Sequence, residues 1–419
     1  MVYLINAEAG PTKKNNGMKT VDMAWDIFLR KNDLAISYER FSIRLHDTSI
    51  QVTNKIKLDY QGSLDFNFDA LNHDDILVYW GDFLHAQHYH QKDLHKLTKK
   101  PKSLSRRFIK SMFFRDKNIK LDKESYIPYV QNFYLPNCKQ KRWKETISFG
   151  TTLVGDNDFD IFSQEEYQQS FYSFINGLDR MWTRDVMSAT QVSHIRNDYQ
   201  CNYLGIDAAL LVDTKDYEAV LDEPTFEIPK PEYILTHFAR SEEDINKLMN
   251  FTVSLKEEMN MPLYWIPWLN PLNHERFASL EASLKKSVED INTESYSDII
   301  HLLKNAKLVI TDTYHLTLIA WRLGIPVVCL GAGLQYPMST VDDKKKEVFY
   351  MMHNMLPFYF FTEQLDDNER VEEFIQFTKK ELENGRAINN IVDKIKHQAE
   401  SVEKDLANYF RTALNLTEK

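Results

Sequence analysis

Apolar runs of strand length alternate with amphipathic segments of helix length along nearly the whole chain, and this alternation limits the fold more than any single motif. It is the pattern of parallel sheets, whose strands are joined by helical crossovers. Residues 2–7 (VYLINA) read as a strand, followed by a loop between Gly10 and Gly17 and a helix over 18–30. Residues 75–83 and 145–153 read as further strands. Residues 163–178 read as a helix, with Ser163 at its start and Glu165 and Glu166 in its first turn. A short strand and loop at 181–188 and the segment 204–212 complete this half. Residues 213–231, with Pro224, Pro229 and Pro231, break the rhythm. It then restarts, with strands at 233–238, 262–269, 307–313 and 325–331 and helices at 241–259 and 296–305. The restart predicts an α/β protein of two doubly wound, Rossmann-like domains facing a cleft, over residues 1–215 and 232–388 with a linker at 216–231. A last helix over 389–419 aligns Ile391, Ile395, Val402, Leu406, Tyr409 and Leu414 and is expected to pack along the outside of one or both domains.

A chain of 419 residues exceeds the size at which one core stops growing, which agrees with two domains. Only 12 residues are glycine, less than half the roughly 7% usual in globular chains. Loops that cradle phosphates need glycine for positive φ and close backbone approach, so an anion here is expected on side chains and helix N-termini. Cys138, Cys201 and Cys329 have no paired spacing and suggest neither a zinc cage nor a disulfide framework. The first residues lack a basic region leading into a long apolar core, and no apolar run approaches about 18 residues. The sequence therefore reads as cytoplasmic. A net charge of −10 disfavours nucleic-acid partners, yet residues 92–144 hold 16 Lys/Arg against 4 Asp/Glu. That stretch, interleaved with Phe108, Met112, Phe113 and Phe114, reads either as solvated surface or as a peripheral contact with an acidic membrane surface at its inner face.

Ligands of doubly wound domains bind outside the carboxyl ends of strands, so residues just after strands are the candidates for chemistry. In the segment 308–328, Asp312 ends a strand and His315 and Thr317 open a helix. A histidine there can donate to a phosphate or carboxylate, or move a proton near neutral pH. The plainer reading is a capping Asp312 beside a structural His315. In the first domain Arg184 and Asp185 follow a strand, with Ser188 as N-cap of the next helix. An arginine fork matches a carboxylate or phosphate, although a structural Arg184–Asp185 pair is equally open. Ser339, Thr340 and Lys344 could hold a phosphate at a helix start, whereas Lys345 and Lys346 read as solvated. Trp80, Asp82 and His85 sit at a strand end suited to a sugar, and His237 ends the first strand of the second domain. No metal is expected, because His85, His88 and His90 have no carboxylate or cysteine at ligand spacing.

Two of these segments, Thr183-Arg184-Asp185-Val186-Met187-Ser188 and Asp312-Thr313-Tyr314-His315-Leu316, resemble the V-R-D-x-x-S and D-[RS]-[LF]-H-G segments of the polysaccharide pyruvyl transferase family. The LGIPVV that follows is similar to the family's usual continuation, while Leu316 stands in place of its glycine. The resemblance implies a fold similar to two-domain GT-B glycosyltransferases. It implies a cofactor-free transfer of the enolpyruvyl-derived group of phosphoenolpyruvate to two hydroxyls of a sugar, in a surface polysaccharide or its lipid-linked precursor, releasing phosphate. His315 is then the general acid and Arg184 the holder of the donor's anionic groups. Asp312 and Asp185 would orient these two or serve as base. Donor contacts would extend to Ser188, Thr317, His237, Ser339 and Lys344, and acceptor contacts to Asp82, His85, Trp80 and Asn16. A nucleotide-sugar glycosyltransferase and a non-catalytic glycan-binding member are the alternatives.

Overall fold

The computed structural model describes residues 1–7, 14–42, 47–62, 66–84, 133–155, 165–229, 232–239, 242–270, 272–336 and 339–416. The strands of the first half are β1 (Val2–Asn6), β2 (Lys14–Asn15), β3 (Tyr38–Ser42), β4 (Thr48–Thr53), β5 (Ile56–Gly62), β6 (Ile76–Trp80), β7 (Glu145–Thr151) and β8 (Arg180–Thr183). Those of the second are β9 (Ile234–His237), β10 (Leu263–Trp265), β11 (Leu269–Asn270), β12 (Glu289–Asp290), β13 (Leu308–Thr311), β14 (Val327–Gly331) and β15 (Tyr359–Phe361). One sheet has the order β4-β5-β3-β1-β6-β7-β8, parallel except for the β4–β5 pair. The other, β12-β10-β9-β13-β14-β15, is parallel throughout. The direction of winding reverses between β1 and β6 in the first sheet and between β9 and β13 in the second. Those switch points are where the crevices of doubly wound sheets open.

The helices are α1 (Asn16–Lys31), α2 (Glu165–Gly177), α3 (Val186–Arg196), α4 (Thr214–Val220), α5 (Glu242–Met259), α6 (Leu272–Ser279), α7 (Ala282–Lys285), α8 (Tyr296–Asn305), α9 (Tyr314–Arg322), α10 (Val341–Met352), α11 (Asn368–Asn384) and α12 (Arg386–Ala413). Helix α1 starts two residues before the sequence reading because the Asn15 side chain accepts from Gly17 N and Met18 N, capping the first turn. The strand read over 262–269 divides into β10 and β11, with Pro267, which has no N–H to give a ladder, between them. The linker is not irregular at its start: Asp213 and Asp216 cap each other's backbone in a capping box and hold α4. Helix α12 begins at Arg386, after Gly385 closes α11 in the left-handed conformation at φ 66°.

An apolar core runs without a break between the two sheets and includes Trp25, Trp80, Leu211, Tyr314, Leu316, Trp321 and Phe410. Separate clusters line the outer faces of each half. Leu316, where the family resemblance expects glycine, is wholly buried in this shared core. Helix α12 buries Ile391, Ile395 and Leu406 as expected and leaves Val402, Tyr409 and Leu414 partly exposed. It does not simply ride outside. Phe410 packs edge-on against Trp25 of α1 and Tyr409 against Trp182 of β8, so the end of the chain clamps the first half. Two further ties cross between the halves. Strand β2 pairs antiparallel with β11, and Thr20 of α1 shares a 2.6 Å hydrogen bond with Tyr296 of α8. Among the described residues, no helix is long and apolar enough to cross a membrane.

Candidate active site

Arg184 follows β8, and its backbone N–H bonds Thr151 O at 2.9 Å, which ties it to the end of β7. The guanidinium is divided between two carboxylates: Nη1 donates to Asp207 Oδ2 at 3.0 Å and Nη2 to Asp82 Oδ2 at 3.2 Å. Its face lies 4.6 Å from the ring centre of Tyr314, the first residue of α9 in the other half. His315, the next residue, places Nε2 3.8 Å from the same Asp207 Oδ2. Lys345 of α10 reaches back across the cleft to Asp82 Oδ2 at 2.9 Å. His315, Asp207, Arg184, Asp82 and Lys345 thus form one chain of ionisable groups whose ends lie in the second half and whose middle lies in the first. Two motif segments more than a hundred residues apart converge on it.

The surroundings fix this array. Asp207 caps a short 3-10 turn, Ala208–Leu211, its Oδ1 accepting from Ala209 N at 3.0 Å. Gly81 sits at φ 80°, a conformation that side chains resist, and so turns the end of β6 to present Asp82. Lys346 donates to Asp312 O and Leu330 O and pairs with Asp343 at 3.0 Å, bolting α10 across the ends of β13 and β14. Burial above all holds the His315 imidazole below its usual range; Asp207 counters this, while Arg184 and Lys345 push it further down. The ring is therefore neutral near pH 7. With 17% of its side chain exposed, it is open to a ligand.

The first turn of α1 is wedged against His315. A Cβ on Gly17 would lie 2.3 Å from His315 Cβ, so only glycine allows this approach. Gly17→Ala is expected to push α1 and α9 apart, an overpacking of about 1–3 kcal/mol. Because the contact joins the two halves, kcat/KM should fall roughly ten- to a hundredfold while each half stays folded. Steady-state kinetics beside small-angle scattering will read this as a slower, more open protein. Unchanged kinetics would show that the contact does not set the geometry of the array.

Other expected site residues lie elsewhere. Asp185, rather than Ser188, is the N-cap of α3, accepting from Ser188 N at 2.7 Å, Ser188 Oγ at 2.7 Å and Thr152 Oγ1 at 2.5 Å. With its oxygens so engaged it is built as a cap, not as a base, and Ser188 is buried against Leu153 N. Asp312 follows β13 and braces the sheet. Its Oδ1 accepts from Ala239 N at 2.8 Å, tying β9 to β13, and Asp207 is the carboxylate beside the imidazole. Thr317 turns inward to Cys329 Sγ, away from the cleft. Trp80 is core rather than a sugar platform: it stacks on Phe149 at 4.8 Å and donates to Val21 O. Asn16 donates to Trp268 O at 3.1 Å and ties the two halves of the chain together. His237 is buried on Trp265 with Nδ1 3.1 Å from Ile266 O. The Ser339 hydroxyl is shielded from solvent and has no hydrogen-bond partner among the described residues. Lys344 is half-buried, and it is its neighbour Lys345, read as solvated, that enters the array. His85, His88, His90 and most of the basic stretch at 92–144 lie outside the described residues.

The two facing doubly wound sheets and the returning terminal helix define a GT-B architecture. Structures of that class align over nearly the whole chain. An S. aureus MnaA–UDP co-structure superposes with a TM-score of 0.53 at 12% identity, covering 100% of this chain and 98% of that one. Os79 from O. sativa in complex with UDP gives 0.50 at 11%, covering 99% and 100%. At such identities they establish the fold alone. No curated protein sequence matches. The sequence profile of polysaccharide pyruvyl transferases matches residues 27–332, a span that includes Asp82, Arg184, Asp207 and His315. The chain belongs to the polysaccharide pyruvyl transferase family.

Proposed function

We propose that this cleft transfers the enolpyruvyl-derived group of phosphoenolpyruvate to two hydroxyls of one sugar, in a surface polysaccharide or its lipid-linked precursor. The observation that carries the reading is the meeting of Arg184 and His315 on Asp207. It puts a fixed bidentate cation and a proton-transfer group within reach of one small ligand. Arg184 and Lys345 hold the donor's carboxylate and phosphate. His315, neutral in the resting protein, gains a proton as the anionic donor settles beside it and delivers it to the methylene carbon. The carbon bearing the phosphate becomes oxocarbenium-like, and a sugar hydroxyl adds to it as its proton passes to the His315 imidazole, which has just given up its own. The C–O bond to phosphate breaks, the second hydroxyl closes the ketal, and its proton leaves with the phosphate. One diol and one phosphoenolpyruvate give one pyruvate ketal and one inorganic phosphate, with no redox change and no cofactor.

The second domain's only clustered glycines favour this small donor over a nucleotide sugar. In the loop after β14 the N–H groups of Gly333 and Leu334 are already taken by Glu363 and Glu347. A diphosphate would meet carboxylates where it needs donors. The acceptor's lipid carrier and the basic stretch at 92–144 fit a protein working at the inner face of a membrane, with the phosphate-linked sugar presented there.

The test is incubation with phosphoenolpyruvate and a panel of lipid-linked sugars, with phosphate release and the ketal methyl signal followed together. Phosphoenolpyruvate should also raise the melting temperature, and UDP should not. Stabilisation by UDP alone, with no phosphate release on any acceptor, would overturn the reading in favour of a nucleotide-sugar enzyme.

A further inference from the structure

The charges of the array sum to zero. Arg184 and Lys345 face Asp82 and Asp207, and His315 is neutral. Even with the proton that His315 takes up, a donor carrying both a carboxylate and a phosphate meets a single net positive charge in such a site, unless one of the internal carboxylates gives up its place. The two differ in exposure and in the cations they face. Asp207 is 4% exposed and is fixed from behind by Ala209 N. Asp82 is 13% exposed, stands on the Gly81 turn, and has one oxygen shared by two cations from opposite halves, at 3.2 Å from Arg184 and 2.9 Å from Lys345. An oxygen seated between a guanidinium and an ammonium occupies the position that a substrate carboxylate or phosphate oxygen would seek.

We propose that the seat between Arg184 and Lys345 is an anion subsite of the donor site, and that Asp82 is its internal occupant, displaced when a carboxylate or phosphate enters. Asp82 then holds the two halves together in the ligand-free protein and competes with the donor. Arg184 stays in place during the exchange, because Asp207 and the Tyr314 ring still hold it. Lys345 becomes the donor-binding lysine. This inference rests on phosphoenolpyruvate as donor, and it deepens that reading by naming the cation pair and its competitor.

Calorimetric titration of the full chain with phosphoenolpyruvate and, separately, with inorganic phosphate tests it on the wild type, D82N, D82S and K345Q. Asparagine keeps the shape of Asp82 and removes its charge, and D82S serves if D82N does not fold. The Asp82 variants should bind phosphoenolpyruvate about tenfold more tightly than the wild type, and K345Q about tenfold more weakly. Tighter binding of inorganic phosphate as well assigns the seat to the phosphate group; tightening with phosphoenolpyruvate alone assigns it to the carboxylate. If the wild type binds phosphoenolpyruvate and the Asp82 variants bind it equally or less well, Asp82 orients the two cations, and the inference fails while the donor reading stands. Failure of every protein to bind phosphoenolpyruvate overturns both.

Discussion

Replacing His315 with glutamine (H315Q) should lower kcat by about a thousandfold, within the range that a general acid contributes. Phosphoenolpyruvate binding should change little, because Arg184 and Lys345 remain. Glutamine suits the test because it is near histidine in size and can still donate to Asp207, so the contact with Gly17 and the array survive. What it cannot do is carry a proton to carbon. A second measurement separates this loss from a merely structural one. The resting imidazole is held below its usual range, so it must take up a proton when the anionic donor arrives. At pH 8 the enthalpy of phosphoenolpyruvate binding should therefore vary with the ionisation enthalpy of the buffer in the wild type and not in H315Q. Stability carries the same signature. The unfolded imidazole protonates near pH 6.5 while the folded one resists. Acidification from pH 7.5 to 5.5 should then destabilise the wild type more than H315Q. If kcat of H315Q stays within a few fold of wild type, the proton comes from elsewhere.

The parallel sheets were legible because their strands are buried on both faces and read as continuous apolar runs, as in β6, β7 and β13. Strands β3 to β5 had no such signal: β5 alternates buried and exposed residues, and β3 opens on Tyr38, Glu39 and Arg40. Arg184 and His315 were legible from position, since each follows a strand, His315 beside the switch point at β13 and Arg184 at the end of the edge strand β8. Asp207, which joins them, was not, because it belongs to no motif. Asp207 stands out only in hindsight, as an acidic residue ahead of Ala208 and Ala209 that caps a turn. Among Lys344, Lys345 and Lys346 the choice depends on helical phase, since neighbours point about 100° apart. Locating the cap fixes that phase: Thr340 and Asp343 form a capping box, which turns Lys345 to the other half and Lys346 to the strand ends. The scarcity of glycine also has a physical counterpart. Glycine serves here where α1 touches His315 and where the chain turns into Asp82, while anion-binding donors come from side chains.

Arg184→Lys should separate the charge of Arg184 from its shape. Lysine retains the positive charge that keeps Asp82 and Asp207 from facing each other unpaired, so the melting temperature should move little. Yet its single nitrogen cannot span two carboxylates that take different guanidinium nitrogens, and it has no planar face to lay on Tyr314. The KM for phosphoenolpyruvate should rise about tenfold or more and kcat/KM should fall roughly a thousandfold, reflecting lost bidentate contact and lost orientation of His315 through Asp207. Arg184→Met should add a stability loss of about 3–5 kcal/mol, because removing the central cation leaves buried carboxylates uncompensated. Urea unfolding and steady-state kinetics on the two variants give a simple discrimination. If R184K is as active as the wild type, the fork does not grip the donor, and the charge array serves only to hold the two halves together. If R184K loses activity at near-native stability while R184M loses both, then Arg184 binds the donor as well as neutralising the carboxylates around it. The Asp207 that Arg184 shares with His315 then links the donor's seat to the proton that must reach it.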